Sequence, residues 1–308
     1  MDNQQDRLRS VLLQLLDRFI GVCQEHDLRY YLAYGSVLGA VRHQGMIPWD
    51  DDIDIYMPRT DYEKLQEVPG EKWGDDMALT SWRWTKGYEY HFLKLEHVNT
   101  TIIEQFTPTY VGGAYLDIFP LDEVPANKDV FQDQLDRIDV LWKKYYTISV
   151  LQESNCSNLL GLMKFKWRQR AYLREGIQEQ WEKVAALKWD NSVMFLDYHQ
   201  STANNIWHNR PIAQEVFGDG CLMKFEGRDC VVPKDYDAYL KHLYGDYMTP
   251  PPENERKRHE FLYINLSKRL SDEELKPVLK MLKKQTAFKW HFKDEVDYWK
   301  EKLHIGRR

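Results

Sequence analysis

Three consecutive aspartates, Asp50 to Asp52, stand directly before the β-branched apolar run in "DDDIDIYMP", and no other segment constrains the chain as strongly. Like charges packed this closely repel one another unless something cationic sits among them. Read as a strand from Asp50, the segment sets Asp50, Asp52 and Asp54 on one face and Asp51, Ile53 and Ile55 on the other. The isoleucines are expected in the core. Asp52 and Asp54 then project together, their Cα atoms roughly 7 Å apart at about 3.3 Å per residue, close enough to share a divalent cation. Asp50, at the strand's start, is expected to stand behind that pair, and Asp51 to satisfy loop N–H groups.

The chain upstream has a matching shape. Leu8, Val11, Leu12, Leu15, Leu16, Phe19 and Val22 recur at helical spacing and predict an amphipathic helix over about 5–25. "LRYYLAYGS" reads as a strand ending at Gly35, with Ser36 capping the short helix "VLGAVRH". A strand, a Gly-Ser pair and a helix N-terminus form a shape suited to holding phosphate. Arg42, in that helix, is either a charged fork for the same phosphate or a salt-bridge partner of Asp50 or Asp51.

Downstream, "GYEYHFLKLEHVNTTIIEQF" alternates like a pair of strands, and "GGAYLDIFPLDEV" carries Asp117 between Leu116 and Ile118. Beside Asp52 and Asp54, Asp117 reads as a metal ligand or a base; alone, it would pass for a strand-end aspartate. Lys94 either touches phosphate or faces solvent. Trp82, Trp84, Tyr88 and Tyr90 supply aromatic faces of the kind that hold a cation.

These signals divide the chain into a catalytic core over 1–125, a helical insertion over 126–215, and a part over 216–308 that completes the core and adds terminal helices. The expected fold is α+β, a mixed sheet flanked by helices. With 308 residues, 43% hydrophobic, including 11 Trp and 19 Tyr, the chain has ample material for a core. A net charge of −6 gives no basic footprint, so nucleic acid is not an expected partner. Cys23, Cys156, Cys221 and Cys230 lack CxxC spacing and read as free thiols, the alternative being a metal site of Cys221 and Cys230 with His208. The N-terminus lacks signal-peptide features and no run of about 20 apolar residues occurs, which points to a cytoplasmic protein. The C-terminal mixture of Lys and Arg with Phe288, Trp290, Phe292, Tyr298 and Trp299 is a candidate for peripheral contact with the inner face of a membrane, or else a helix on the core.

"YGSVLGAVRHQGMIPWDDDIDI" resembles the signature of the LicD family, relatives of the fukutin-type proteins within the nucleotidyltransferase-fold superfamily, and "VVPKDYDAYLKHLYGDYMTPPPENERKRH" is similar to that family's C-terminal portion. The resemblance implies catalytic and metal-binding roles for Asp52, Asp54 and Asp117, and donor-phosphate binding by Gly35, Ser36 and Arg42. It implies Mg²⁺ or Mn²⁺ as cofactor. It also implies transfer of a phosphorylated alcohol from a CDP-alcohol donor such as CDP-choline to a glycan or lipid-linked glycan, with release of CMP. Two alternatives remain open: transfer of a nucleoside monophosphate from a triphosphate, and a non-catalytic nucleotide-binding protein.

Overall fold

In a computed structural model, the structure describes residues 3–104, 110–149, 159–174, 176–198, 211–256 and 261–289. The chain opens with helix α1 (Asn3–Glu25), whose residues Leu8, Leu12, Leu15, Leu16, Phe19 and Val22 are all buried. Their three- and four-residue spacing puts them on one stripe. That stripe lies on two long strands, β4 (Leu93–Glu104) and β5 (Val111–Glu123). A truncation such as Leu15→Ala would cost about 2–5 kcal/mol there.

Strand β1 is only Tyr31–Leu32, and helix α2 (Tyr34–His43) begins almost at once. The acidic run is not a strand from Asp50, because β2 covers Asp54–Pro58. The ladder explains the late start: β1 pairs antiparallel with β2 only at Tyr31↔Tyr56 and Leu32↔Ile55, and the Ala33 N–H donates to the Asp54 carbonyl at 2.9 Å. Before Asp54 the chain turns, with the Asp50 N–H on the Ile47 carbonyl. Alternation therefore fails for Asp50 to Asp52 and holds from Ile53 on, where Ile53 and Ile55 are fully buried.

Beyond β2 come helix α3 (Arg59–Gln66) and strand β3 (Met77–Thr80). The sheet is mixed, in the order β1, β2, β5, β4, then the late strand β10 (Phe261–Asn265), with β3 also on β4. β2 runs parallel to β5, and β4 antiparallel to it. β5 is thus central, and its nearly unbroken burial reflects cover on both faces. The expected pair of strands over 87–106 is instead the one strand β4, with a register irregularity between His97 and Ile102.

Helices α4 (Lys128–Ser149), α5 (Leu159–Arg174) and α6 (Ile177–Ala185) pack around a separate apolar cluster that includes Leu135, Ile138, Trp181 and Val184. Strand β6 (Met194–Leu196) brings the chain back to the end of β5 and pairs with β7 (Ile212–Ala213). A short helix α7 (Gln214–Phe217) leads to the hairpin of β8 (Cys221–Phe225) and β9 (Arg228–Val232), followed by α8 (Tyr236–Tyr244). Pro250 to Pro252 come after them. Helix α9 (Asp272–Lys289) packs Leu275 and Leu282 with Ile103 of β4. The architecture is α+β of the nucleotidyltransferase-like kind. Among the described residues no helix is long and apolar enough to cross a membrane.

Candidate active site

The site forms where β2 begins. Asp54 and Asp117 are direct partners in the parallel β2–β5 ladder, and Lys94 of β4 is the antiparallel partner of Asp117. Register partners on neighbouring strands point their side chains to the same face. Two carboxylates and an ammonium are so placed side by side. The Lys94 ammonium lies 3.2 Å from Asp117 Oδ1 and 3.0 Å from Glu104 Oε2.

Lys94 neither faces solvent nor is open to a phosphate; its side chain is 1% exposed. Its Nζ sits 3.1 Å from the Tyr115 ring centroid and 4.5 Å from that of Tyr90. Tyr90 and Tyr115 both donate their hydroxyls to Glu104. Burial works against the ammonium, but Asp117 and Glu104 outweigh it and hold the Lys94 pKa above its usual value. Of the four aromatic residues with faces suited to a cation, Tyr88 and Tyr90 are buried and Tyr90 faces the chain's own Lys94, whereas Trp84 is exposed.

Asp50, Asp51 and Asp52 each offer a carboxylate oxygen within 4.8 Å of the others, and among the described residues they are the group of three acidic, His or Cys side chains so arranged. Asp51, expected to point away, belongs to this group because the segment is a loop. Burial, then Asp52, Asp117 and Asp50, push the Asp54 carboxyl well above the ordinary carboxylate range, with Lys94 the opposing influence. Negative charge concentrated to this degree, carried wholly by oxygen donors, suits a hard divalent cation.

The Gly-Ser pair serves this loop. A Cβ on Gly35 would meet Asp50 Oδ2 at 2.7 Å, so only glycine lets that carboxylate lie against α2. Ser36 does not cap the helix, which starts at Tyr34 after the N-cap residue Ala33. Its buried Oγ accepts instead from the Asp54 N–H at 3.0 Å, tying α2 to the first residue of β2. The Tyr34 N–H at the helix start is taken by the Tyr239 hydroxyl of α8.

Arg42 donates from Nη1 to the Tyr247 carbonyl at 3.0 Å and from Nε to His43. Its guanidinium lies 5.8 Å from the Trp49 ring centroid, and that of Arg256 lies 4.3 Å from the same ring. Burial, then Arg256, lower the Arg42 pKa. Two guanidinium groups thus share the indole next to Asp50. The hairpin tip holds the loop from below: Glu226 accepts from the Met46 N–H at 3.0 Å and donates its own N–H to the Gln44 carbonyl at 2.9 Å.

Residues 27–147 match the family model described as "LicD/FKTN/FKRP, nucleotidyltransferase domain". The chain is 28% identical over 256 residues to the lipopolysaccharide cholinephosphotransferase LicD of Haemophilus influenzae, covering 81% of this chain and 93% of that one.

Over residues 27–147 the chain is similar to the LicD family.

A shorter stretch, 25% of the chain, is 32% identical to the human ribitol 5-phosphate transferase FKRP and covers 16% of that protein. The family segment accounts for the Asp50 to Asp54 run, Asp117, Lys94 and the Gly-Ser pair, all of which fall within residues 27–147. Tyr244 and Arg256 come from beyond it and were not singled out from the sequence. The Tyr244 side chain is 42% exposed, yet burial of its hydroxyl, then Asp54, Asp50 and Asp52, push its pKa above the usual value. Only the fold brings α8 over the acidic loop, and no local pattern announces it.

The alternative metal site does not gain support: Cys230 is buried in β9, and burial pushes its thiol up to about 12. Cys221 pairs in register with Val232 and not with Cys230. His208 lies outside the described residues, as do Cys156 and the C-terminal residues from Trp290 on.

Proposed function

We propose that this LicD-like protein transfers a phosphorylated alcohol, phosphocholine or a similar group, from a CDP-alcohol donor to a hydroxyl of a glycan or lipid-linked glycan, releasing CMP. The observation that carries this reading is the in-register pair Asp54↔Asp117 beside the Asp50 to Asp52 loop. The similarity to a cholinephosphotransferase across 93% of its length supports the same reaction class.

Asp52, Asp54 and Asp117 would hold Mg²⁺ or Mn²⁺, with Asp50 and Asp51 close enough to contribute. The metal would offset the negative charge of the diphosphate as the donor is cleaved. The remaining roles fall to the chain's own residues. Lys94 holds one oxygen of Asp117 at 3.2 Å, which fixes the carboxylate's rotation. The acceptor oxygen attacks the phosphorus bearing the alcohol, its proton passes to Asp117, and the bond from that phosphorus to the CMP oxygen breaks. Ser36 keeps Asp54 in place through its backbone N–H. Arg42 and Arg256 present positive charge beside the loop, where donor phosphate would lie.

The test is one chromatogram. Incubated with Mg²⁺, a CDP-alcohol and a glycan acceptor, the protein is expected to release CMP and leave the alcohol phosphate on the glycan. A CMP-modified acceptor, or pyrophosphate formed from CTP, would instead establish nucleotidyl transfer.

A further inference from the structure

Helix α5 carries charge and apolar surface in an arrangement the proposed reaction does not use. Its sequence, "LLGLMKFKWRQRAYLR", contains Lys164, Lys166, Arg168, Arg170 and Arg174 and no acidic residue, in a chain whose net charge is −6. At about 100° per residue, Leu160, Met163 and Trp167 fall on one stripe. All three are open to solvent, at 72%, 61% and 71% exposure. Single exposed apolar side chains are ordinary on a protein surface, but three in a line on one helix are not.

The flanks of the stripe are basic on both sides. The same geometry puts Lys164 and Arg168 along one edge and Arg170, with Lys166 beyond it, along the other. The opposite face holds the helix to the protein: Phe165 is buried, and Tyr172 packs against the apolar cluster shared by α4 and α6. An anchored helix that presents Leu, Met and Trp between two rows of Lys and Arg has the form of an interfacial helix. Apolar side chains enter the acyl boundary, and long basic side chains reach up to anionic headgroups.

We infer that α5 is a membrane-contact surface that seats the protein on an anionic lipid bilayer. The charge decides between occupants. A second copy docked through the same face would set its basic rows against these, and nucleic acid would leave the Leu160, Met163 and Trp167 stripe without an apolar partner. An anionic leaflet satisfies both components at once.

The experiment is cosedimentation of the full chain with vesicles of equal parts phosphatidylglycerol and phosphatidylcholine, and with phosphatidylcholine alone. Binding to the anionic vesicles is expected to be at least about tenfold stronger and to weaken in about 0.5 M salt. Met163→Ser with Trp167→Ser should lower the partition about tenfold or more, and Lys164→Glu with Arg168→Glu about fivefold or more per residue, with thermal melting unchanged. Lys276→Glu with Lys280→Glu on α9 should bind as the wild type does. The inference is overturned if the vesicles do not discriminate by charge, or if only the α9 variant loses binding. It is equally overturned if sedimentation velocity shows a dimer that Met163→Ser with Trp167→Ser abolishes, since a second copy would then be the occupant.

Discussion

The two ends of the β2–β5 ladder carry opposite solutions to the problem of buried charge. At the start, Asp54 faces Asp117 with further carboxylates nearby, and Lys94 stands beside Asp117. At the far end, just past the Pro58↔Leu121 pair, Arg59 grips Asp122 in a two-pronged bond, at 2.7 Å from Nε and 2.8 Å from Nη2. Glu63 and Glu182 then engage both Arg59 and Arg83. Burial works against the Arg59 charge, and Asp122 outweighs it, so the guanidinium stays firmly protonated. One end pairs its charges within the chain and joins α3 to α6; the other keeps an excess of carboxylates, which the metal of the proposed function would offset. Buried ion pairs that are closed serve structure, whereas excess charge of one sign marks a place where stability has been given up for function.

The sharpest way to break this comparison is to exchange outcomes between the two ends. Asp52→Asn or Asp54→Asn is expected to reduce turnover on the order of 10³-fold while the circular dichroism spectrum stays that of the wild type. Asp122→Asn should do the reverse, lowering stability in denaturant titrations by about 3–5 kcal/mol because it strands the Arg59 charge. If the Asp54 variant kept near-wild-type turnover, or the Asp122 variant melted normally, the distinction would fail.

A smaller effect separates the ends by added metal. Mg²⁺ at about 100 times its dissociation constant should stabilise the wild type and Asp122→Asn by about 2.7 kcal/mol each. Asp54→Asn should gain little. Differential scanning calorimetry with and without Mg²⁺ reads this directly, and an equal gain in all three would place the ion elsewhere.

Acid titration gives a third and lesser contrast. Without metal, the raised pKa of Asp54 means that the folded chain binds its proton more tightly than the unfolded chain does. Stability is therefore lost as pH rises above the unfolded carboxylate value. Asp54→Asn should melt like the wild type below about pH 4 and increasingly higher towards neutrality, by about 2–4 °C for each kcal/mol regained. A constant difference across that range would mean that Asp54 is not the strained group.

The smallest effect concerns Ser36. Ser36→Ala leaves the Asp54 N–H without its acceptor and should cost about 1–3 kcal/mol, with kcat falling more than donor affinity changes. Were Ser36 instead a phosphate ligand alone, the loss would appear in donor KM and not in melting.

Short-range pattern carries the part of the fold that is legible in the sequence. The stripe on α1 needs only the helical period, and the burial of Ile53 and Ile55 needs only the two-residue period of a strand. The same period misled at Asp50 to Asp52, where it presumes a strand that the two-residue β1 is too short to extend. Ser favours helix caps, yet the fold starts the helix before Ser36 and gives its hydroxyl to a strand 18 residues away. Lys94 sat in an alternating strand, but nothing local told that its partners would be Asp117 and Glu104.

The sequence by itself determined that acidic side chains would crowd the beginning of an apolar strand, near a helix introduced by Gly35 and Ser36, because chain geometry repeats over a few residues. Only the tertiary structure decided that Asp54 meets Asp117, that Lys94 is sealed between Tyr90 and Tyr115, and that Tyr244 and Arg256 come to the same place. Strand register is the physical reason. It is set by the packing of α1 on β4 and β5 and by which apolar face must be buried, and a slip of one residue would turn Asp54, Lys94 and Asp117 to the other face, away from Tyr244 and Arg256.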